Sequence, residues 1–110
     1  MSAESNKART LLAGVARSVI TPPLGIRLLG YTVQEGVSQD VERELTATVL
    51  VLSDGQTSAV LVGLDLLWMP MPISDRIRDA IGKRLGIPGE NVILNGSHTH
   101  LGPMFPGWQD

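Results

Sequence analysis

The 110-residue chain contains no cysteine. That excludes a disulfide framework, a thiolate zinc site and a cysteine nucleophile. It says nothing of compartment, since many secreted proteins also lack cysteine. No stretch approaches the roughly 18 uninterrupted apolar residues of a helical membrane span. An excess of one charge sign is missing too: nine Lys and Arg stand against eleven Asp and Glu, a net charge of −2. So mild a balance leaves no footprint for nucleic acid or for an anionic membrane. The first ten residues show no basic start followed by an apolar stretch, so no secretory leader is expected there. The expected location is cytoplasmic, or secreted or periplasmic if the N-terminus is incomplete. Two nucleotide-binding signatures fail as well. Gly25 and Gly30 have phosphate-loop spacing but lead into Tyr31 instead of Lys-Ser/Thr, and no Gly-x-Gly-x-x-Gly follows a strand.

What remains is an ordinary globular composition, 43% hydrophobic and 18% charged, at the length of one domain. Residues 1–10 are polar and expected to be disordered; residues 11–110 form the folded part. Leu11 to Ile20 reads as a strand that Thr21-Pro22-Pro23 must end, because proline cannot donate to a ladder. From Gly25 to Asp40 the pattern is irregular, with turns at Gly30-Tyr31 and Glu35-Gly36. A long loop is expected, of the kind that often covers a site. Leu45 to Leu52 alternates, with Leu45, Ala47, Val49 and Val51 on one face. Asp54-Gly55 then turns the chain into a second apolar run from Ser58, giving a hairpin. Because Ala59 to Leu64 is apolar on both faces, it belongs in the sheet interior.

Ser74 reads as the cap of a helix whose apolar positions Ile77, Ala80, Ile81 and Leu85 recur at helical steps. Asp75 near its start and Lys83 and Arg84 near its end suit the helix dipole, and Gly86 and Pro88 stop it. Asn91 to Leu94 is then a short buried strand. Strand, helix, strand makes a βαβ unit, whose parallel strands end on the same sheet edge, where ligand sites of open α/β sheets lie. Asp65 and His98 meet at that edge. The expected fold class is α/β: a mixed sheet with a hairpin and a βαβ unit, an incomplete lobe of a larger domain. Its unpaired edge and uncovered apolar face predict self-association.

The two histidines of the chain stand together as His98-Thr99-His100. On an extended segment, residues two apart face the same side. Both imidazoles can then face one metal ion, or one can bind it while the other addresses a substrate. Asp65 interrupts an apolar stretch and needs a partner. Either it accepts the second ring N–H of a metal-bound histidine, fixing the tautomer, or it caps the turn that follows it. A catalytic zinc site generally takes three protein ligands, and two histidines cannot complete it. Ser97 beside His98 is no nucleophile–base pair, since adjacent strand residues face opposite ways. Trp68, Met69, Met71, Met104, Phe105 and Trp108, with nearby prolines, are packing residues or the apolar mouth of a site for a lipid-like ligand.

In order along the chain, Ala13-Gly14-Val15-Ala16-Arg17, Ile20-Thr21-Pro22-Pro23-Leu24-Gly25, Gly30-Tyr31, the strand ending in Asp65, Glu90-Asn91-Val92-Ile93-Leu94 and Ser97-His98-Thr99-His100-Leu101-Gly102-Pro103 together resemble the neutral/alkaline, non-lysosomal ceramidase N-terminal domain. The resemblance covers about Ala13 to Pro103. It implies the N-terminal part of a zinc-dependent amidase that hydrolyses the N-acyl bond of ceramide. In that family the first histidine of the motif binds Zn2+, which falls on His98. The second lies beside the substrate, which falls on His100. The other ligands, a histidine, a glutamate and a tyrosine, come from far downstream. The family continues after Thr-His with Ser-Gly-Pro and small glycine-rich residues, where this chain has Leu101-Gly102-Pro103-Met104-Phe105. Two other readings stay open: a non-catalytic binding or structural module of the same fold, and a metallohydrolase of a different substrate.

Overall fold

Strands β1 (Leu12–Val19), β2 (Leu28–Leu29), β3 (Thr46–Ser53) and β4 (Ser58–Leu64) precede helix α1 (Met71–Leu85), and β5 (Val92–Gly96) and β6 (Gly102–Pro103) follow it. A computed structural model describes residues 10–29 and 37–105. Strands β1, β3, β4 and β5 make one sheet in that order, with β1–β3 and β3–β4 antiparallel and β4–β5 parallel. The fold is thus the mixed α/β arrangement expected, with the hairpin and the βαβ unit both present. The hairpin forms because Asp54 Oδ1 accepts from the N–H groups of Gln56 and Thr57 at 2.9 and 2.8 Å. Gly55 takes the left-handed φ of 92° that the turn requires.

The core lies between one sheet face and α1. Val60, Val62 and Leu64 of β4, Val92 of β5 and the following Leu66 are buried there, with Val49, Val51 and Ile81 packed against them. Burying each such side chain contributes roughly 1.5–3 kcal/mol. Two further bonds lock the crossover. Arg78 Nε donates to the Val92 carbonyl at 3.2 Å, and Asn91 Nδ2 donates to the Ser58 carbonyl at 3.0 Å.

Helix α1 starts three residues before Ser74. Pro70 occupies the cap position, and Ser74 lies buried within the first turns, its Oγ donating to the Met71 carbonyl at 2.9 Å. The reason is Pro72: proline near the helix start forfeits only an N–H that would have no helical partner anyway. Asp75 is therefore past the first turn and pairs with Arg78 at 3.5 Å. The C-terminus is as expected, with Lys83 and Arg84 in the last turn and Gly86 left-handed at φ 69°.

Strand β5 corrects a second expectation. It is an edge strand, buried at Val92 but with Ile93 on its other face 54% exposed. Interior position does cover both edges of β4, but its outer face stays open at Leu61. In the long loop, the described part is ordered by a small ladder. Strand β2 pairs with β6, Arg27 bridges Val37, and Met104 N–H donates to the Arg27 carbonyl at 2.7 Å. The turns expected at Gly30-Tyr31 and Glu35-Gly36 lie outside the described residues, as does most of residues 1–10. Among the described residues, no helix is long and apolar enough to cross a membrane.

Candidate functional site

The parallel register Leu64↔Gly96 brings the ends of β4 and β5 to one edge, so Asp65 and His98 converge there. Pairing continues past the strand ends. The Leu64 carbonyl accepts from both Leu66 and Ser97 N–H at 2.8 Å, and the Leu66 carbonyl accepts from His98 N–H at 3.0 Å. Segment 65–67 is thereby laid against segment 96–98. The approach is so close that a Cβ on Gly96 would sit 2.9 Å from the Leu66 oxygen, which is why this position needs glycine.

His98 has φ 67°, the only left-handed non-glycine residue among those described. Such a backbone is uncommon and is held only when neighbours over-determine it. Its Nδ1 lies 3.2 Å from the Leu67 carbonyl. A carbonyl can only accept, so Nδ1 is the donor in this bond, which in the neutral ring leaves Nε2 as the acceptor nitrogen. The His100 ring is at a centroid distance of 5.1 Å and an interplanar angle of 69°. The two imidazoles do come together, although a left-handed turn unites them and not the alternation of an extended strand.

Asp65 is engaged elsewhere. Its Oδ2 accepts from Thr46 N–H at 2.9 Å and from the Thr46 hydroxyl at 3.0 Å. These two bonds, against some desolvation, hold its carboxyl below the usual range, helped by the Ser97 hydroxyl and the positive charge of Arg17. The acceptor that fixes the His98 Nδ1 proton is therefore the Leu67 carbonyl, in the place expected for Asp65. A backbone carbonyl reaches that proton because residues 65–67 run alongside the histidine segment. Sequence reasoning missed Leu67, Thr46 and Ser97, since backbone and cross-strand partners leave no compositional trace. Gly96 was readable as a small residue at a strand end, though not as a contact.

A cleft of about 540 Å³ lies beside this edge, within the range of ligand sites. Its lining includes Thr99, Leu101 and Pro103 after the first histidine, and Leu24, Ile26 and Leu28 from the segment that follows β1. Asp65 belongs to its lining too. Of the expected apolar mouth, Met69 and Phe105 pack against the core, whereas Trp68 and Met71 are exposed. Trp108 lies outside the described residues.

The architecture is shared with part of neutral ceramidase. The crystal structure of neutral ceramidase from Pseudomonas aeruginosa matches with a TM-score of 0.77 and 21% identity, over 89% of this chain and 16% of that chain. A ceramidase complexed with C2 matches with a TM-score of 0.75 and 21% identity, over 88% of this chain and 16% of its own. At that identity the likeness is one of fold. No protein-family model matches the chain, and no curated protein sequence does.

As donor chemistry, a neutral imidazole whose Nδ1 is bonded to a carbonyl is prepared to bind zinc through Nε2. It is one ligand. Among the described residues no group of three or more His, Cys, Asp or Glu side chains is placed to hold a metal ion. The site therefore offers two imidazoles, and a zinc centre here would require donors from elsewhere.

Proposed function

We propose that this chain is part of a ceramidase-like amide hydrolase in which His98 is a zinc ligand and His100 addresses the substrate. The observation that carries this reading is the imidazole pair at the carboxyl edge of a sheet whose fold is shared with neutral ceramidase. The substrate class is a lipid-like amide, such as ceramide, cleaved by water at its N-acyl bond. Zinc, when bound, supplies Lewis acidity and lowers the pKa of water towards neutrality. The chain's own contribution is positional. His98 offers Nε2 while the Leu67 carbonyl fixes its ring. His100, beside it, donates a hydrogen bond to the developing oxyanion or carries a proton to the departing amine. The remaining ligands are supplied outside the described residues.

Zinc content of the full-length protein, beside its His98→Ala variant, tests the reading. About one zinc per chain, lost in the variant, is the expected result for a catalytic site. His100→Ala should keep the metal and lose about 10²–10⁴-fold in turnover, as removal of a general acid or base does. Zinc retained at full stoichiometry in His98→Ala sinks the ligand assignment. The lack of a three-donor group among the described residues favours a second reading, a non-catalytic module. A wild-type protein free of zinc supports that reading. A zinc enzyme that rejects long acyl chains in a panel of N-acyl amides is a hydrolase of another substrate.

A further inference from the structure

Given the metal-ligand role proposed for His98, we infer that Asp65 is its positioning residue, acting through Thr46 and the segment of residues 65–67. Three successive residues of one segment govern His98. The Leu66 carbonyl receives its backbone N–H at 3.0 Å, and the Leu67 carbonyl receives its ring Nδ1–H at 3.2 Å. Both carbonyls follow directly on Asp65, which anchors the segment. Its backbone N–H donates to the Thr46 carbonyl at 3.0 Å, and its carboxylate accepts from Thr46 N–H and Oγ1 at 2.9 and 3.0 Å. One side chain thus joins the start of β3 to the end of β4, at the head of the segment whose carbonyls hold His98.

The backbone of His98 shows why such a link is needed. A left-handed non-glycine residue relaxes unless its neighbours hold it, and φ here is 67°. Its flank is held by the bonds from Ser97 N–H to the Leu64 carbonyl and from His98 N–H to the Leu66 carbonyl, and by the close approach that Gly96 permits to the Leu66 oxygen. Without the carboxylate, segment 65–67 loses its anchor on Thr46 and residues 97–98 relax towards an extended chain. The ring then leaves the Leu67 carbonyl, and nothing selects the Nδ1–H tautomer. Thr46 is 19 residues from Asp65 in sequence, so the link depends on the hairpin register and is invisible to local reading.

Ring ¹⁵N NMR of the metal-free full-length protein, labelled at histidine and assigned with a His98→Asn variant, tests this at a pH of about 8, where free imidazoles are neutral. The wild type should show Nδ1 protonated and Nε2 bare. Asp65→Ala should move both His98 nitrogens towards the averaged shifts of exchanging tautomers, with Thr46→Ala, which removes one of the two Thr46 donors to Asp65, moving them part of the way. Asp65→Asn keeps an acceptor oxygen for Thr46 and should retain most of the wild-type signature. A wild-type spectrum in folded Asp65→Ala, even with a lowered melting temperature, overturns the inference and leaves Asp65 a merely structural residue. If Asp65→Ala fails to fold, Thr46→Ala decides in the same way. Because the measurement is made without metal, absence of zinc in the wild type defeats the metal reading and leaves this result standing.

Discussion

At the scale of single residues, Asp65 is the most consequential carboxylate of the chain. Its folded pKa lies below its ordinary value of 3.8, chiefly because Thr46 N–H stabilises the ionised form. A lowered carboxyl pKa contributes stability that is fully present above the unfolded value. That contribution is lost as pH falls through the lower folded value. Urea midpoints measured from pH 7 down to pH 3 should therefore fall for the wild type below about pH 4, the unfolded range of aspartate. Asp65→Asn should be less stable at pH 7 and show a flatter profile across that window. Equal slopes for the two proteins would remove Asp65 from the acid response. His98 was legible as chemistry from its motif alone. Its left-handed backbone and its Leu67 acceptor were not, because a backbone carbonyl 31 residues away belongs to no local pattern.

At the scale of elements, α1 shows how neighbours override propensity. Alanine in place of a helical glycine ordinarily stabilises by about 1 kcal/mol. Gly82 is an exception, since an added Cβ would lie 2.8 Å from the Ile87 oxygen, where the chain doubles back after the left-handed Gly86. Gly82→Ala should lower the denaturation midpoint, by about 1–3 kcal/mol of overpacking. A raised midpoint would mean that the turn relaxes freely. From the sequence alone this glycine only weakens the helix, and its reason is visible once Ile87 is placed against it. The helix start shows the reverse. Ser74 has the right chemistry for a cap, but Pro70 and Pro72 supply a start that leaves Ser74 inside the helix.

For the molecule as a whole, the face of the sheet opposite α1 is the unbalanced feature. The register aligns Val15, Leu50, Leu61 and Ile93 in one row across all four strands. Val15 is 73% exposed and Ile93 54%. A contiguous apolar row of this kind seeks cover, either from further layers or from another copy. We expect the 110-residue chain by itself to associate in solution, and Val15→Glu combined with Ile93→Lys to reduce that association. Light scattering reads the outcome, and a clean monomer before substitution rules out this row as an association surface. Strand β1, exposed on both faces, adds a free edge to the same problem.

The sequence by itself determined the hairpin, the crossover helix, the parallel pair and the sheet edge that carries both Asp65 and His98. Each follows from short-range signals: apolar period, turn residues and a left-handed glycine stop. It also carried the imidazole pair, because the motif is contiguous. Tertiary structure decided which groups those residues touch. Leu67 orients His98, Thr46 claims Asp65, and Arg27 and β2 pair with residues 102–104. The physical reason is that these bonds form between backbone or hydroxyl groups distant in sequence. Every residue carries such groups, so only the register of the folded sheet selects among them.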